Sequence, residues 1–597
     1  MKKGNKTKFF KTILPIIATS IIPISMISAS CENKKIPDSQ LKMSVTQHSF
    51  KNYNPEYTIK ESDLSVYRIK NQEEMAFVDL DEIFKALEGF VDQTKFTSRV
   101  DEENHQKIYE VKDPKTNEVT AQMVIDWEKN TIFVNGTTFF WSILKPQELT
   151  DGNQFLKLDY EAKYENENGI TFDLSKYDMD IIYKDNKILI PFLIFNTLFM
   201  SQNYNNIYFN GDTFTNVFGG IDSYSSATFP PEARQRIKNQ ATVAKKPQTI
   251  KDRVVNFNHL LFAMDYFYGL KDYKKITSFK DYIGNEDKKK ILSTNPEEFH
   301  EGYINVFHKK LNELHTRLDS FSYYDLPSEE SLRESKLKKD PKKYYGEYYN
   351  RFFDTKDMLE KNFHKKYPKD IRNYTLDDHI KFIDNDQTAI LRTFGFFDGT
   401  KEQNQKNDAW KYDTYYLMYE FMKKVKEKET VKNILVDLSM NGGGSVYAMI
   451  RALGFMTNKQ ILNREYNELN KIASITKANV DTQKSDEFKP HDYDQKYKWN
   501  ILVSLNTFSA ANQGTSIVKE MGIAKIIGQK TGGGMSAVFP ITFNDGTTLT
   551  MSSPNNAVQG EDNKEIESGI DPDYQLDYKD FYDDNAIKKA IAAVNKQ

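Results

Sequence analysis

The spacing of hydrophobic residues changes along this chain, from short strand-like runs to helical repeats and then to strands that alternate with helices. Within residues 43–225, short apolar runs such as 121–127 are separated by turns of Asn, Asp and Gly, a pattern typical of β-strands. Within 226–384, apolar residues recur at helical spacing, most clearly over 303–318. The pattern therefore predicts an N-terminal α+β module that is followed by a helical subdomain.

The C-terminal part, residues 385–597, alternates between predicted strands and predicted helices. Buried strands are expected at 433–438 and 500–505 and an amphipathic helix at 510–521, whereas the polar stretch 477–498 is expected to be an inserted loop. Parallel strands need a crossover connection, which is usually a helix, so this alternation favours a largely parallel sheet. We therefore predict an α/β domain over this part of the chain.

Two segments of the N-terminal module share one pattern, in which a strand leads into an amphipathic helix. They lie at 75–87 and 187–199, and each is followed by turn-rich strands that end near an Asn-Gly pair. This arrangement resembles the small α+β module at the N-terminus of copper amine oxidases and in many Gram-positive surface proteins. The resemblance implies such a module over 43–225, with an unclassified α+β domain as the alternative.

The N-terminal end of the chain has the layout of an export signal. Several lysines precede an apolar stretch at 13–27, and the small residues 28–30 lead directly to Cys31. This arrangement resembles the lipobox of bacterial lipoproteins. The resemblance implies a signal peptide at 1–30, a diacylglycerol on the Cys31 sulfur and a lipidated tether over 31–42.

A lipidated cysteine determines where the protein is expected to reside. Two acyl chains are enough for stable anchoring, so we expect a protein held at the cell membrane on its extracellular face. An ordinary signal peptide or a short membrane helix is the alternative, although the stretch 13–27 is short for a span and contains two prolines. Cys31 is the only cysteine in the sequence, which excludes disulfide bonds.

Composition and charge exclude several other classes of function. Of the 597 residues, 39% are hydrophobic and 13% aromatic, which is enough to form packed cores. The formal net charge is -3, so no basic surface field indicates nucleic acid as a partner. The sequence has no His-Glu-x-x-His segment and no cysteine after position 31, so we predict neither a metal nor another cofactor.

Two glycine- and serine-containing motifs in the C-terminal part carry the first candidate chemistry. Asp-Leu-Ser-Met-Asn-Gly-Gly-Gly at 437–444 ends a buried strand with glycines whose N–H groups can face an oxyanion. No lysine follows the last glycine, which argues against a phosphate-binding P-loop. Thr-Phe-Ser-Ala-Ala at 507–511 puts Ser509 at a strand-to-helix turn, where the helix dipole favours negative charge. A serine that only caps the helix is the alternative.

Two further motifs follow, Gly-Gln-Lys-Thr-Gly-Gly-Gly at 528–534 and Gly-Ile-Asp-Pro-Asp at 569–573. In this order and spacing, the four motifs resemble the C-terminal processing (tail-specific) peptidase family of serine peptidases and its tricorn-like relatives, over 388–576. The resemblance implies a crotonase-like α/β catalytic domain with Ser509 as the nucleophile. The oxyanion donors that it implies are the backbone N–H groups of Gly443, Gly444 and Ala510.

The sequence departs from this family at the general base. Many members place a lysine 25 residues after the serine, but that position holds Gly534 here, and Lys530 lies earlier in the same turn. Tricorn-like relatives instead use a histidine from the helical segment, and Leu-His-Thr at 314–316 is similar, which makes His315 the first candidate. We expect His315 at the end of the helix predicted over 303–318. Lys530 as the base, or no working base, are the alternatives.

The same resemblance implies a carboxylate that holds the tautomer of the histidine. In tricorn-like relatives this residue is a Glu shortly before a Gly-Ile pair. Glu567 and Glu565 both precede Gly569 here, and the sequence does not decide between them.

The predicted function is that of a membrane-anchored, extracytoplasmic serine endopeptidase or peptidase. It would hydrolyse peptide bonds of a peptide or protein substrate through an acyl-enzyme. The alternative is a catalytically inactive surface lipoprotein that keeps the peptidase fold and binds host or cell-surface proteins.

Overall fold

Four β-sheets and the helices between them build the part of the chain that the structure describes, which confirms the predicted mixed α/β class. The computed structural model describes residues 41–70, 72–164, 169–221, 230–239, 241–324 and 340–596. The predicted signal peptide and Cys31 lie outside the described residues. None of the helices within these ranges is long and apolar enough to cross a membrane.

The segment before residue 225 contributes two complete sheets. Its strands and helices, in chain order, are β1 (Met43–Asn52), β2 (Ser62–Ile69), β3 (Gln72–Asp79), α1 (Leu80–Ala86), β4 (Phe96–Asp101), β5 (Gln106–Lys112), β6 (Val119–Asp126), β7 (Thr131–Val134), α2 (Phe139–Ser142), β8 (Leu156–Tyr164), β9 (Ile170–Asp173), β10 (Ile182–Lys184), β11 (Lys187–Pro191), α3 (Phe192–Phe195), β12 (Asn205–Phe209) and β13 (Phe214–Phe218). One sheet has the order β10-β11-β3-β2-β1-β13-β12, and the other has the order β4-β5-β6-β7-β9. The two predicted strand-to-helix segments are confirmed as β3 with α1 and β11 with α3.

The middle of the chain is mainly helical. Its elements are α4 (Pro231–Arg234), α5 (Ile250–Phe267), α6 (Phe279–Ile291), α7 (Pro296–Ile304), a π-helical turn (Asn305–Lys310), β14 (Arg317–Ser320), α8 (Pro341–Tyr344), α9 (Glu347–Lys366), α10 (Leu376–His379) and β15 (Ile380–Ile383).

The helix predicted over 303–318 is wrong in its second half, because the helical turns end at Lys310. Asn312 takes a left-handed backbone conformation with φ 46°, which a helix does not continue through. The Glu313 carboxylate then accepts hydrogen bonds from the backbone N–H groups of His315 and Thr316. His315 therefore lies in a tight loop between α7 and β14, and it does not close a helix.

The C-terminal part forms the predicted parallel sheet. Its elements are β16 (Thr388–Arg392), α11 (Thr414–Lys426), β17 (Asn433–Asp437), α12 (Val446–Leu453), β18 (Ile461–Asn467), β19 (Ile472–Val480), α13 (Tyr493–Lys496), β20 (Lys498–Val503), α14 (Ala510–Met521), β21 (Lys525–Gly528), β22 (Ser536–Thr542), β23 (Thr548–Gln559), β24 (Lys564–Glu565), β25 (Tyr574–Gln575) and α15 (Asp584–Val594). The sheet order is β15-β16-β17-β20-β21-β25, and every neighbouring pair from β16 to β25 is parallel. The carboxyl ends of these strands therefore meet at one edge.

A second sheet joins strands from all three parts of the chain. Its order is β14-β23-β18-β19-β8, and β22 and β24 pair with β23. The predicted loop over 477–498 is wrong at its start, because β19 continues to Val480 with β18 on one side and β8 on the other. A partner strand from more than 300 residues earlier thus turns a polar segment into sheet.

Helices α9 and α15 cover one face of the parallel sheet. Leu359 and Phe363 of α9 pack in one buried cluster with Leu435 of β17, Leu502 of β20 and Ile591 of α15. Because α9 is fixed to the sheet at this end, its other end has a defined place above the carboxyl edge of the strands.

A buried ion pair fixes the helical part to the antiparallel sheet. The Arg253 guanidinium of α5 lies 2.5 Å from the Asp545 carboxylate in the turn between β22 and β23, and neither residue reaches solvent to more than 3%. The same guanidinium donates to the Ile291 carbonyl and to the Tyr303 hydroxyl. Removing one partner would therefore leave a charge in the core.

We expect Asp545→Ala to lower the free energy of unfolding by about 3–5 kcal/mol, because it leaves Arg253 buried without its counter-charge. Chemical denaturation of the purified variant measures this loss. Asp354→Ala is the matched control, since Asp354 pairs with Lys342 where both side chains are more than half exposed, and such pairs contribute about 1 kcal/mol or less. Equal decreases in the free energy of unfolding of the two variants would contradict a larger contribution from the buried ion pair.

Candidate active site

Ser509 lies at the turn between β20 and α14 with an unusual backbone conformation. Its φ is 55°, in the left-handed region that non-glycine residues rarely occupy and that costs on the order of 1–3 kcal/mol. Its side chain caps no N–H group of α14, and its hydroxyl makes no hydrogen bond to any described residue. The serine is partly open to solvent. These features favour a reactive hydroxyl over the alternative of a helix cap.

Two glycine loops hold this turn from opposite sides. Phe508 N–H donates to the Asn441 carbonyl at 3.2 Å, and Ser509 N–H donates to the Gly533 carbonyl at 2.9 Å. A Cβ atom at Gly443 would lie 2.8 Å from Ser509 Cβ and 2.9 Å from the Ala510 nitrogen. No side chain therefore fits between the first motif and the candidate nucleophile.

Two of the three predicted oxyanion donors are available. The N–H groups of Gly444 and Ala510 donate to no acceptor among the described residues, whereas the Gly443 N–H donates to Asn441 Oδ1 at 2.9 Å. Phe396 fixes the loop, because its N–H donates to the Gly443 carbonyl and its carbonyl accepts from Ser445 N–H, each at 2.9 Å. The Ala510 N–H directly follows Ser509 at the N-terminus of α14, where the helix dipole adds positive potential, and the Gly444 N–H belongs to the loop that packs against Ser509.

The structure brings His315 to the nucleophile turn. Its ring packs against the ring of Phe508, the residue before Ser509, with the ring centroids 4.6 Å apart. Burial, and next the charge of Arg317, lower the pKa of His315 to about 3, so its imidazole is neutral at neutral pH. No hydrogen bond joins Ser509 Oγ to the imidazole within the described residues, and such bonds often form only when substrate binds.

Glu313 holds the His315 loop in place. Its carboxylate accepts from His315 N–H at 2.6 Å, from Thr316 N–H at 2.9 Å and from the Ser552 hydroxyl of β23 at 3.0 Å. The sequence interpretation assigned no role to this residue, because a helix continuing past it would leave no free N–H groups nearby. An acidic side chain can accept hydrogen bonds from the backbone N–H groups two and three residues later and so start a turn. This local pattern is the signal by which the sequence could have indicated the role of Glu313.

Of the two candidate carboxylates, Glu567 lies next to the third motif. Its Oε2 accepts from Met535 N–H at 2.8 Å. Burial, and next the negative charge of Glu313, raise the pKa of Glu567 to about 8. Glu565 is exposed on β24, and its pKa is raised by burial and by the charges of Glu468 and Asp272.

The position that holds a lysine in many processing peptidases is filled by an aromatic ring. A Cβ atom at Gly534 would lie 2.5 Å from the Phe508 ring, which also contacts Phe352 of α9 at a centroid distance of 5.7 Å. Lys530 points elsewhere: its Nζ lies 3.8 Å from the Asp571 carboxylate, at the rim of a cavity of about 460 Å³ that Glu567 also lines.

The third and fourth motifs are tied to α14 by Asn512, another residue that the sequence did not single out. Asn512 Oδ1 accepts from the Thr531 hydroxyl at 2.6 Å, and its Nδ2 donates to the Ile566 carbonyl at 3.1 Å. Thr531 N–H donates to the Ile570 carbonyl at 3.1 Å, and Ile570 N–H donates to the Thr531 hydroxyl oxygen at 2.6 Å. All four motifs thus meet around Ser509.

Comparison with known proteins supports the peptidase interpretation. Residues 401–576 match the model of peptidase family S41, which confirms the predicted resemblance to processing peptidases. Among solved structures, the chain is similar to a candidate peptidase from Parabacteroides merdae ATCC 43184, with 18% identity, a TM-score of 0.38, and coverage of 57% of this chain and 96% of that one. It is also similar to the photosystem II D1 C-terminal processing protease (18% identity, TM-score 0.25, 32% of this chain and 42% of that one). The tricorn protease is matched at 12% identity, with a TM-score of 0.33 over 93% of this chain and 67% of that one. No curated protein matches the sequence.

We expect the stability of Glu567→Gln to differ from that of the parent chain in a pH-dependent way. The folded-state pKa of Glu567 is raised from 4.5 to about 8, so the folded protein holds a proton that the unfolded chain releases, and the parent loses stability as pH rises between these values. Glutamine removes this penalty, so the variant should gain on the order of 1–3 kcal/mol over the parent at pH 8.5 and far less at pH 5.

Denaturation at both pH values measures the gain, with Glu561→Gln at an exposed position of the same segment as the matched control. A gain that is equal at pH 5 and pH 8.5 would contradict a raised pKa of Glu567 in the folded protein.

Proposed function

We propose that this chain, whose residues 401–576 form a domain of peptidase family S41, is a serine peptidase that hydrolyses peptide bonds through an acyl-enzyme on Ser509. One observation carries the proposal: a strained serine with an unbonded hydroxyl directly precedes the unpaired Ala510 N–H and packs against the glycine loop that holds the unpaired Gly444 N–H. A nucleophile close to unpaired hydrogen-bond donors is what acyl transfer requires.

In the proposed reaction, Ser509 Oγ attacks the carbonyl carbon of the substrate while the imidazole of His315 takes the hydroxyl proton. The carbonyl oxygen becomes an oxyanion that accepts hydrogen bonds from the N–H groups of Gly444 and Ala510. The imidazolium then gives its proton to the leaving amine, and the C–N bond breaks. Water hydrolyses the resulting ester by the same steps, with His315 again as the base.

We further propose that Glu567 is the carboxyl group of this relay. It is the candidate that contacts the turn carrying Gly534 and Met535, and the charge of Glu313 in the His315 loop affects its pKa. Glu565 accepts no such hydrogen bond within the described residues, and the charges that affect its pKa are those of Glu468 and Asp272.

The enzyme is proposed to act outside the cytoplasm while anchored to the membrane through acylated Cys31. This part of the proposal rests on the sequence of the N-terminal end, where lysines, an apolar stretch and small residues precede the cysteine. The anchor would hold the folded part near the outer surface, where peptides and proteins are the available substrates.

A catalytically inactive binder is the second candidate function. Two observations favour it: Ser509 Oγ and His315 share no hydrogen bond, and Phe508 fills the place of the usual lysine next to Gly534. Labelling of the serine decides between the two candidates.

We expect a fluorophosphonate probe to label the parent protein on Ser509, because in the proposed mechanism a neutral imidazole and two oxyanion donors activate the hydroxyl. Ser509→Ala should abolish labelling and peptide hydrolysis, and His315→Ala should slow both by on the order of 10²–10⁴-fold. His364→Ala, an exposed histidine on α9, is the matched control and should leave both rates unchanged. Failure of the folded parent to react would favour the inactive binder.

We expect cells that express the full chain to incorporate radiolabelled palmitate into it, and Cys31→Ala to abolish the incorporation. The variant should also move from the membrane fraction to the soluble or secreted fraction, because two acyl chains provide the anchor. Membrane association that persists in Cys31→Ala would overturn the lipid anchor without affecting the proposed chemistry at Ser509.

A further inference from the structure

An aromatic groove opens at the carboxyl end of β16, beside the start of α11. Its volume is about 810 Å³, within the range of small-molecule and side-chain sites. The aromatic residues that line it are Tyr374, Phe394, Phe397, Trp410 and Tyr412.

Phe397 presents its ring to solvent from a fixed backbone. Its side chain is 57% exposed, the highest value among the large apolar residues of its part of the chain. Its N–H donates to Thr414 Oγ1 at 2.9 Å, and its carbonyl accepts from Thr414 N–H at 3.0 Å. The ring folds over Gly395, where a Cβ atom would meet it at 2.4 Å. The exposed apolar surface is thus preorganised, which lowers the entropy lost when a ligand binds.

The charged groups around the groove are already paired within the protein. The Asp413 carboxylate accepts from the N–H groups of Gly399 and Tyr415, and Lys411 lies 2.8 Å from Asp408. Arg372 pairs with Asp370 at 2.6 Å.

The histidine of the groove is also bonded, since His379 Nδ1 lies 2.9 Å from the Arg392 carbonyl. Because these groups are satisfied, the groove offers mainly aromatic surface, and the ligand chemistry that it fits is an apolar or aromatic side chain.

The groove is continuous with the oxyanion loop. Gly395 and Phe397 flank Phe396, whose backbone is bonded to Gly443 and Ser445, and Gly443 in turn touches Ser509. Paired backbone segments such as Phe396 and Gly444 lie about 4.8 Å apart. The close contact between Gly443 and Ser509 adds a second step of similar length, so the groove wall lies about 10 Å from the nucleophile. An extended peptide advances about 3.3 Å per residue, so this distance corresponds to about three residues.

We propose that this groove is a specificity subsite for a large apolar side chain, aromatic by preference, of the peptide substrate. The side chain lies about three residues from the bond that Ser509 cleaves. The inference rests on the proposed peptidase function and names the class of peptide that the site selects.

Binding is tested with Ser509→Ala protein, which cannot turn over the ligand. A set of ten-residue Gly/Ser-rich peptides carries one Phe at successive positions, and a peptide without Phe is the reference. The Phe peptides should change the fluorescence of Trp410, and this change should vanish when Trp410→Phe is added. Phe397→Ala should weaken their binding by about 10-fold or more, as expected for loss of an apolar contact surface, whereas Trp141→Ala, an exposed tryptophan outside the groove, should not.

The parent protein provides the second measurement. Its kcat/KM should favour peptides with Phe at one position about three residues from the cleaved bond, and Phe397→Ala should remove this preference while fluorophosphonate labelling of Ser509 is retained. Labelling without any Phe preference overturns the subsite alone. Absence of labelling overturns the proposed function and the subsite with it. The fluorescence of Trp410 is also recorded without peptide at several protein concentrations. A change with concentration would show that a second copy of the chain covers the groove, and it would overturn the proposal.

Discussion

The candidate site depends on the hydrogen bonds and close packing by which two glycine loops, 441–444 and 532–534, fix the turn from 504 to 510. Ser509 has a left-handed φ, and a backbone in that region persists only when its surroundings over-determine it. The surroundings do so here through Asn441 on one side and Gly533 on the other, each hydrogen-bonded to the turn. Because Gly443 has no side chain, its loop packs directly against the turn that carries the nucleophile candidate.

The same close packing leaves no room for a lysine side chain at position 534, where many processing peptidases have their general base. The ring of Phe508 packs directly over Gly534, and it also contacts the ring of Phe352. The ring then offers a surface on which the imidazole of His315 packs. One aromatic side chain next to the serine thus contacts both Gly534, at the usual lysine position, and His315, the candidate base.

Local signals made parts of this arrangement predictable from the sequence. Helix α14 begins at Ala510 as expected, because a buried strand, a turn and an amphipathic repeat follow one another there. The position of His315 was missed, since only a left-handed Asn312 and the carboxylate of Glu313 end the helical repeat, and neither changes the hydrophobic pattern. The extension of β19 was missed because its partner β8 comes from a distant part of the sequence. The first error thus arose from a local turn that leaves the hydrophobic pattern unchanged, and the second from a strand pairing between distant parts of the chain.

Burial acts on the base and on the carboxyl group of the proposed relay in the same way. It disfavours charge, so it lowers the pKa of His315 and raises the pKa of Glu567. Burial thus favours the neutral forms of the His315 imidazole and of the Glu567 carboxyl group, although the charges of Arg317 and Glu313 lie nearby. In the proposed reaction, the hydroxyl proton of Ser509 passes to the imidazole, and the N–H groups of Gly444 and Ala510 stabilise the new oxyanion. Fixed dipoles of this kind need no reorganisation when the charge forms. In that proposed reaction, the strained serine, the glycine loops and the titratable groups all act on the charge that forms in the transition state.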